Sequence, residues 1–217
     1  MQRQLLSLLI LFLIVLKGYA ADAVSCTTVA SGNFSNKHIW SCGVVPGKST
    51  DVTISHDVNL DVTFTSGGAV KGTWVIDDGV SLRSTTTNIQ IAAGGTLTVN
   101  GTLEVNDITF DNGSGVTFEG GSDVLVVGNL VNNNNSALIY VHTGSFDVKK
   151  TLTNGVNSKI TGIGCINVTG SIFNDEKGFL FECKGVSCDA CSDALPIELL
   201  QFSAVSVNGS VVISWKT

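Results

Sequence analysis

Residues 84–148 contain no lysine and no arginine, and beyond residue 20 the only arginine is Arg83. Nucleic acid and anionic membrane surfaces are held by clustered basic side chains, so neither is expected as a partner. Proline is nearly absent, with only Pro46 and Pro196. No apolar spacing of three and four residues marks a helix between 51 and 183. After the first twenty residues no apolar run approaches the roughly 20 residues that a bilayer span needs. The three histidines, His38, His56 and His142, are scattered. Their spacing assembles no Ser-His-Asp or Cys-His group of the kind nucleophilic catalysis uses.

The long apolar run that does exist lies at the start. MQRQLLSLLILFLIVLKGYA has an early Arg3, an apolar stretch over 5–16, and small residues at Gly18 and Ala20. That pattern is a secretory leader cut after Ala20; about twelve apolar residues is short for a membrane anchor. Without Arg3 and Lys17 the formal charge moves from −6 to about −8. A secreted or cell-surface protein, with no transmembrane segment after cleavage, is expected. All six cysteines follow the leader, as suits an oxidising compartment. Cys26 and Cys42 form one cluster, while Cys165, Cys183, Cys188 and Cys191 form another. The expected pairs are Cys26–Cys42 and Cys165–Cys183, with Cys188 and Cys191 closing a small local loop. A zinc site at Cys183, Cys188 and Cys191 would want a fourth ligand close by, and the nearest histidine is His142. A lipid-anchored Cys26 would sit unusually far beyond the apolar stretch, behind a weak Ala23-Val24-Ser25 motif.

What the chain has in quantity is glycine, 24 residues of it, between short alternating runs such as DVTISHDVNLDV, GTLTVNGTLEV and SDVLVVGNLV. These are strands punctuated by Gly, Asn and Asp. Laid over one another they repeat: Val116, Leu138 and Ile160 are 22 apart, as are Phe118 and Tyr140, Ile108, Leu130 and Leu152, Val124 and Phe146, and Val126 and Val148. Three short strands per period of about 22 residues mark stacked coils. A β-sandwich would instead show longer strands and no fixed offset. The expected fold is all-β: a right-handed parallel β-helix (solenoid) with a disulfide-stapled N-terminal cap, followed by the first strands of a truncated β-sandwich. Its divisions are a leader over 1–20, a cap over 21–50, the solenoid over 51–185, a Cys-containing linker over 186–196 and the start of a sandwich over 197–217. The Asn132 to Asn135 run reads either as a turn laddering with a neighbouring coil or as an ordinary polar loop. Phe34 and Trp40 suit a buried cap, although Trp40 would also serve as a sugar-stacking platform.

Solenoids include polysaccharide-cleaving enzymes, so the carboxylates matter. Glycoside hydrolysis needs two of them facing one sugar bond. Glu104, Asp107, Asp111, Glu119, Asp123 and Asp147 do not recur at 22 residues, since Glu104 falls opposite Val126 and Asp107 opposite Asn129. An anionic polysaccharide would meet an acidic, base-free wall, which argues against a lyase. Asp107 and Asp123 are the candidates for ligand binding. Calcium is conceivable at Asp77-Asp78-Gly79 or over 107–123, but the Gly-Gly-x-Gly-x-Asp pattern of calcium solenoids is absent; no other cofactor is expected. Paired threonines at 63 and 65, 85 and 87, 96 and 98, and 151 and 153 would suit ice binding if they aligned, and only the first two pairs are 22 apart.

Two stretches resemble known families. SGNFSNKHIWSCGVVPGKSTDVTISHDVNLDV resembles a pattern common in exported proteins of Bacteroidetes-type bacteria and is similar to the opening of G8-like domains. Trp40, Pro46, Asp51, Val52, Ile54, Val58, Leu60 and Asp61 fit it, while Phe34 stands where Trp is usual. LPIELLQFSAVSVNGSVVISWKT resembles the start of a fibronectin-III-like domain that precedes a type IX secretion sorting domain. The resemblance implies that the chain stops inside the second strand of a sandwich, and that a longer protein would be attached to the outer membrane. It carries no catalytic residue to this sequence. The function expected is a non-catalytic surface module, a stalk, an adhesin or a binder of extracellular glycan or surface protein. A polysaccharide-acting enzyme, or an accessory region of a longer one, is the alternative.

Overall fold

The structure, a computed structural model, describes residues 25–133, 138–142, 144–162, 164–175, 177, 179–180, 201–207 and 210–216. The expected leader, the linker, Cys183, Cys188, Cys191, Asn134 and Asn135 lie outside the described residues. The described residues between 25 and 180 form a parallel β-helix. Its first coil holds β1 (Ser25–Thr27) and β2 (Gly32–Asn33), and its second β3 (Asp51–Ile54) and β4 (Val58–Asn59). Three-strand coils follow: β5 (Thr73–Ile76), β6 (Ser81–Arg83) and β7 (Ile89–Ile91), then β8 (Thr96–Val99), β9 (Thr102–Val105) and β10 (Ile108–Phe110). Next come β11 (Gly115–Phe118), β12 (Ser122–Val126) and β13 (Leu130–Asn132), then β14 (Leu138–Val141), β15 (Gly144–Val148) and β16 (Thr151–Asn154). The stack closes with β17 (Lys159–Gly162), β18 (Asn167–Val168), β19 (Ser171–Asn174) and β20 (Phe179–Leu180). Corresponding strands pair in parallel into sheets of eight, seven and five strands, and β21 (Gln201–Val207) and β22 (Ser210–Lys216) form a separate antiparallel pair. The segment expected only to cap the solenoid therefore also supplies its first two strands, paired with β3 and β4.

Most strands turn alternate side chains inward, and the inward ones stack. Val58, Leu82, Leu103, Val124 and Phe146 follow one another through the second sheet, and all are buried. Ile108, Leu130 and Leu152 do the same in the third, at the 22-residue offset. The first sheet departs from it. Val116 lies beside Ile139 rather than Leu138, Phe118 beside Val141 rather than Tyr140, and Ile139 beside Ile160. Five residues separate β13 from β14 where four separate β10 from β11. That one extra residue shifts the register, and a one-residue shift exchanges the two faces of a strand. Ile139 and Val141 are accordingly the buried pair. Coil offsets run from 19 residues, Thr96 to Gly115, to 26, Ser25 to Asp51.

Polar ladders complement the apolar stack. Asn132 is buried at the end of β13 and donates from Nδ2 to Asn154 Oδ1 at 2.9 Å; Asn154 Nδ2 donates to Asn174 Oδ1 at 2.8 Å. Of the Asn run, Asn132 thus ladders across coils. At the N-terminal end Cys26 is bonded to Cys42, 16 residues away. Cys165 is also disulfide-bonded, and its expected pairing with Cys183 involves a residue outside those described. Loop-closure entropy for a bridge of this length is worth about 3 kcal/mol. Replacing Cys26 and Cys42 together by serine should lower unfolding free energy by about that amount, read by urea denaturation under non-reducing conditions. An unchanged midpoint would show that the bridge does not staple the first coil.

Candidate functional site

The outward residues of the second sheet form the most functionalised face of the molecule. Register places Asn33, Asn59, Arg83, Glu104, Leu125, Asp147 and Asn167 in one row across the coils. Thr102, Asp123 and Ser145 form the row beside it. Two open hollows lie on this face. One, of about 390 Å³, is lined by Asn33, Asp57, Asn59, Ser81 and Arg83 among others. The other, of about 350 Å³, is lined by Arg83, Thr102, Glu104, Asp123, Asp147 and Lys149 among others. Arg83 belongs to both.

The chemistry of the face is mixed in charge. Asp123 Oδ1 accepts from Ser145 Oγ at 2.9 Å, and Asp147 Oδ1 from Asn167 Nδ2 at 2.8 Å. Lys149 Nζ stands 3.6 Å from Asp147 Oδ2. Asn59 Nδ2 donates to Asn33 Oδ1 at 3.0 Å. The side chains of Arg83 and Glu104, neighbours in register, have no hydrogen-bond or ion-pair partner among the described residues. Arg83 is exposed and Glu104 half-buried on this face, so both keep bonding capacity unused by the scaffold. The arginine presents a planar fork of donors and the glutamate two acceptor oxygens.

Asp57, which lines the first hollow, has its titration set by its bonds to Ser81. The Ser81 hydroxyl, donating at 2.7 Å, and the Ser81 amide, at 2.9 Å, hold its carboxyl below the usual aspartate value. Burial opposes this lowering, and the charges of Arg83 and His56 reinforce it with smaller effects. A carboxyl that binds its proton more weakly folded than unfolded stabilises the fold above the unfolded value, and that contribution is lost as pH falls through the folded one. The stability gap between the protein and Asp57→Asn should thus be full near about pH 6 and shrink by about pH 2.5. Denaturant titrations at both values measure it, and a gap independent of pH would refute the assignment.

The other candidates have different surroundings. Asp107 sits at the corner between β9 and β10, where Oδ1 accepts from Asn129 N at 2.7 Å and Asn129 Nδ2 at 3.1 Å. Its carboxylate ties one coil to the next, and it does not line the hollow that Asp123 lines. Trp40 is buried, its indole N–H donating to Phe34 O at 2.9 Å and its ring meeting Phe34 edge-on. Both its polar atom and its ring are engaged within the core. Asp77 accepts from Ser55 Oγ at 2.5 Å. No group of three or more His, Cys, Asp or Glu suited to a metal ion occurs among the described residues. His142 pairs with Glu119 at 3.0 Å, and His56 Nδ1 lies 3.0 Å from Thr28 O.

Thr63, Thr65, Thr85 and Thr87 lie outside the strands, so the pairs that were 22 apart form no flat array. The first sheet instead aligns Thr27, Thr53, Val75, Thr98, Thr117, Tyr140 and Thr161. Val75 and Tyr140 interrupt the threonines. Among the described residues no helix is long and apolar enough to cross a membrane.

Sequence reasoning missed Arg83 and Lys149. They bound the base-free stretch, and folding returns both to the wall that this stretch builds. The fixed 22-residue offset also hid the carboxylates: Glu104 aligns through Leu125 with Asp147 once the first step is 21 residues. The chain matches no protein-family model, no curated protein and no solved structure.

Proposed function

We propose that the chain is the solenoid part of an exported surface protein, and that the outer face of its second sheet binds extracellular glycan without cleaving it. The observation that carries the reading is the unpaired Arg83–Glu104 neighbourhood at the junction of two hollows. Sugar hydroxyls are both donors and acceptors, and they are best met by carboxylates, amides and guanidinium groups held rigid by a scaffold. Rigidity comes from the stacked core under the sheet. Export is supported by the leader-like first twenty residues and the Cys26–Cys42 bridge. The resemblance to Bacteroidetes-type exported proteins supports attachment at the cell surface through a sorting domain.

The test is a glycan array probed with the whole chain and with the Arg83→Ala/Glu104→Gln double variant. Bonds to charged groups are worth about 1.5–3 kcal/mol, so binding to at least one glycan should weaken by about tenfold or more. Absence of binding, or binding indifferent to the double change, would overturn the proposal. Release of reducing ends by the protein but not by Glu104→Gln would replace binding with hydrolysis.

A further inference from the structure

We propose that the ligand is an electrically neutral, extended polysaccharide lying along the solenoid axis and gripped in mid-chain, with Arg83 contacting the segment where the two hollows meet. This rests on the glycan-binding reading above. Ligands recognised by a chain end or as single sugars sit in enclosed pockets that bury most of their surface, whereas both hollows here are shallow and open. They follow one another across the coils, not along a strand: Asn33, Asn59, Arg83, Glu104, Leu125 and Asp147 succeed one another by register. With adjacent strands 4.7–4.9 Å apart, these five steps span about 24 Å, the reach of an oligosaccharide of several units. A polymer that repeats along its length can use polar groups that return at every coil.

The charges select among polymers. Glu104, Asp123 and Asp147 would repel a chain of uronic acids or sulfated sugars, while Arg83 and Lys149 would repel a polycation. A neutral chain meets no such penalty and finds both donors and acceptors.

Isothermal titration with neutral β-linked xylo-, cello-, laminari- and manno-oligosaccharides of two to eight units tests this. For the series that binds, affinity should rise about tenfold or more between the dimer and the hexamer and then level off. Reduction of the terminal sugar to its alditol should leave it unchanged. In Arg83→Ala, checked for native circular dichroism, the gain with length should collapse, because the hollows no longer share a contact. Equal affinity for dimer and octamer, or loss of binding on reduction of the chain end, would overturn the mid-chain inference and leave glycan binding standing. Binding confined to anionic oligosaccharides would overturn the neutral class, and failure of every glycan, charged or neutral, would remove the underlying function.

Discussion

Gly101→Ala should destabilise the protein by about 4 kcal/mol or more, the range reserved for a clash that the fold cannot absorb. Gly101 is buried at the corner between β8 and β9. A Cβ there would lie 2.3 Å from Asp77 O and 2.3 Å from Val80 O, both main-chain atoms of the preceding coil. The Val80 carbonyl is not free to swing aside. Val80 O already accepts from Thr102 N at 2.9 Å, and Gly101 O accepts from Asp123 N at 3.1 Å. Relief would require spreading two coils and breaking bonds to both neighbours. Gly121→Ala is the control: Gly121 is exposed with φ +96°, and a Cβ there meets nothing within 4 Å. It should cost only the backbone strain of about 1–2 kcal/mol. Urea denaturation of the two variants compares them, and equal losses would show that close coil packing does not set this corner.

That corner shows why part of the molecule was legible and part was not. Alternation of apolar residues, with Gly and Asn as punctuation, identified the strands because a pleated strand faces its two sides with a period of two. Stacking of identical walls made Ile108, Leu130 and Leu152 recognisable as one column from their spacing alone. Cys26 and Cys42 were close in sequence and isolated from the other cysteines, so their bond was equally readable. Register in the first sheet was not, because it depends on how many residues each turn spends. A single added residue before β14 set Ile139 opposite Val116, and Ile139 is buried. The candidate site inherits that difficulty. Its members come from separate coils with unequal offsets, and Arg83 and Lys149 are 66 positions apart in the chain yet line one hollow. Asp107 misled for the opposite reason: a carboxylate in a run of polar residues looks available, and only the bonds from Asn129 reveal its use within the scaffold.

Phe34→Ala should cost about 3–5 kcal/mol, the usual loss for a buried aromatic truncated in a packed core. Phe34 is fully buried, with its ring centroid 4.8 Å from Trp40, 5.3 Å from Phe64 and 5.5 Å from Trp74. This cluster has an architectural cause. The first two coils have strands in the first and second sheets but none in the third, whose first strand is β7. The chain between β4 and β5 meets the third sheet only through isolated bridges, Phe64 to Ile89 and Val70 to Ile91, and Phe64 packs its ring against Phe34 and Trp74. Phe34→Leu, which keeps most of the apolar volume, should lose markedly less. Because each coil of a solenoid is stabilised chiefly by its neighbours, the damage should stay local. Hydrogen exchange in Phe34→Ala should accelerate in β1 to β4 while β9, β12 and β15 stay protected. The hollow at Asn33 and Asn59 would then loosen while that at Glu104 and Asp147 persisted, so a long glycan should bind as weakly as a short one. Uniform acceleration through all coils would instead mean that the solenoid unfolds as a single unit and that the aromatic cluster supports its whole length.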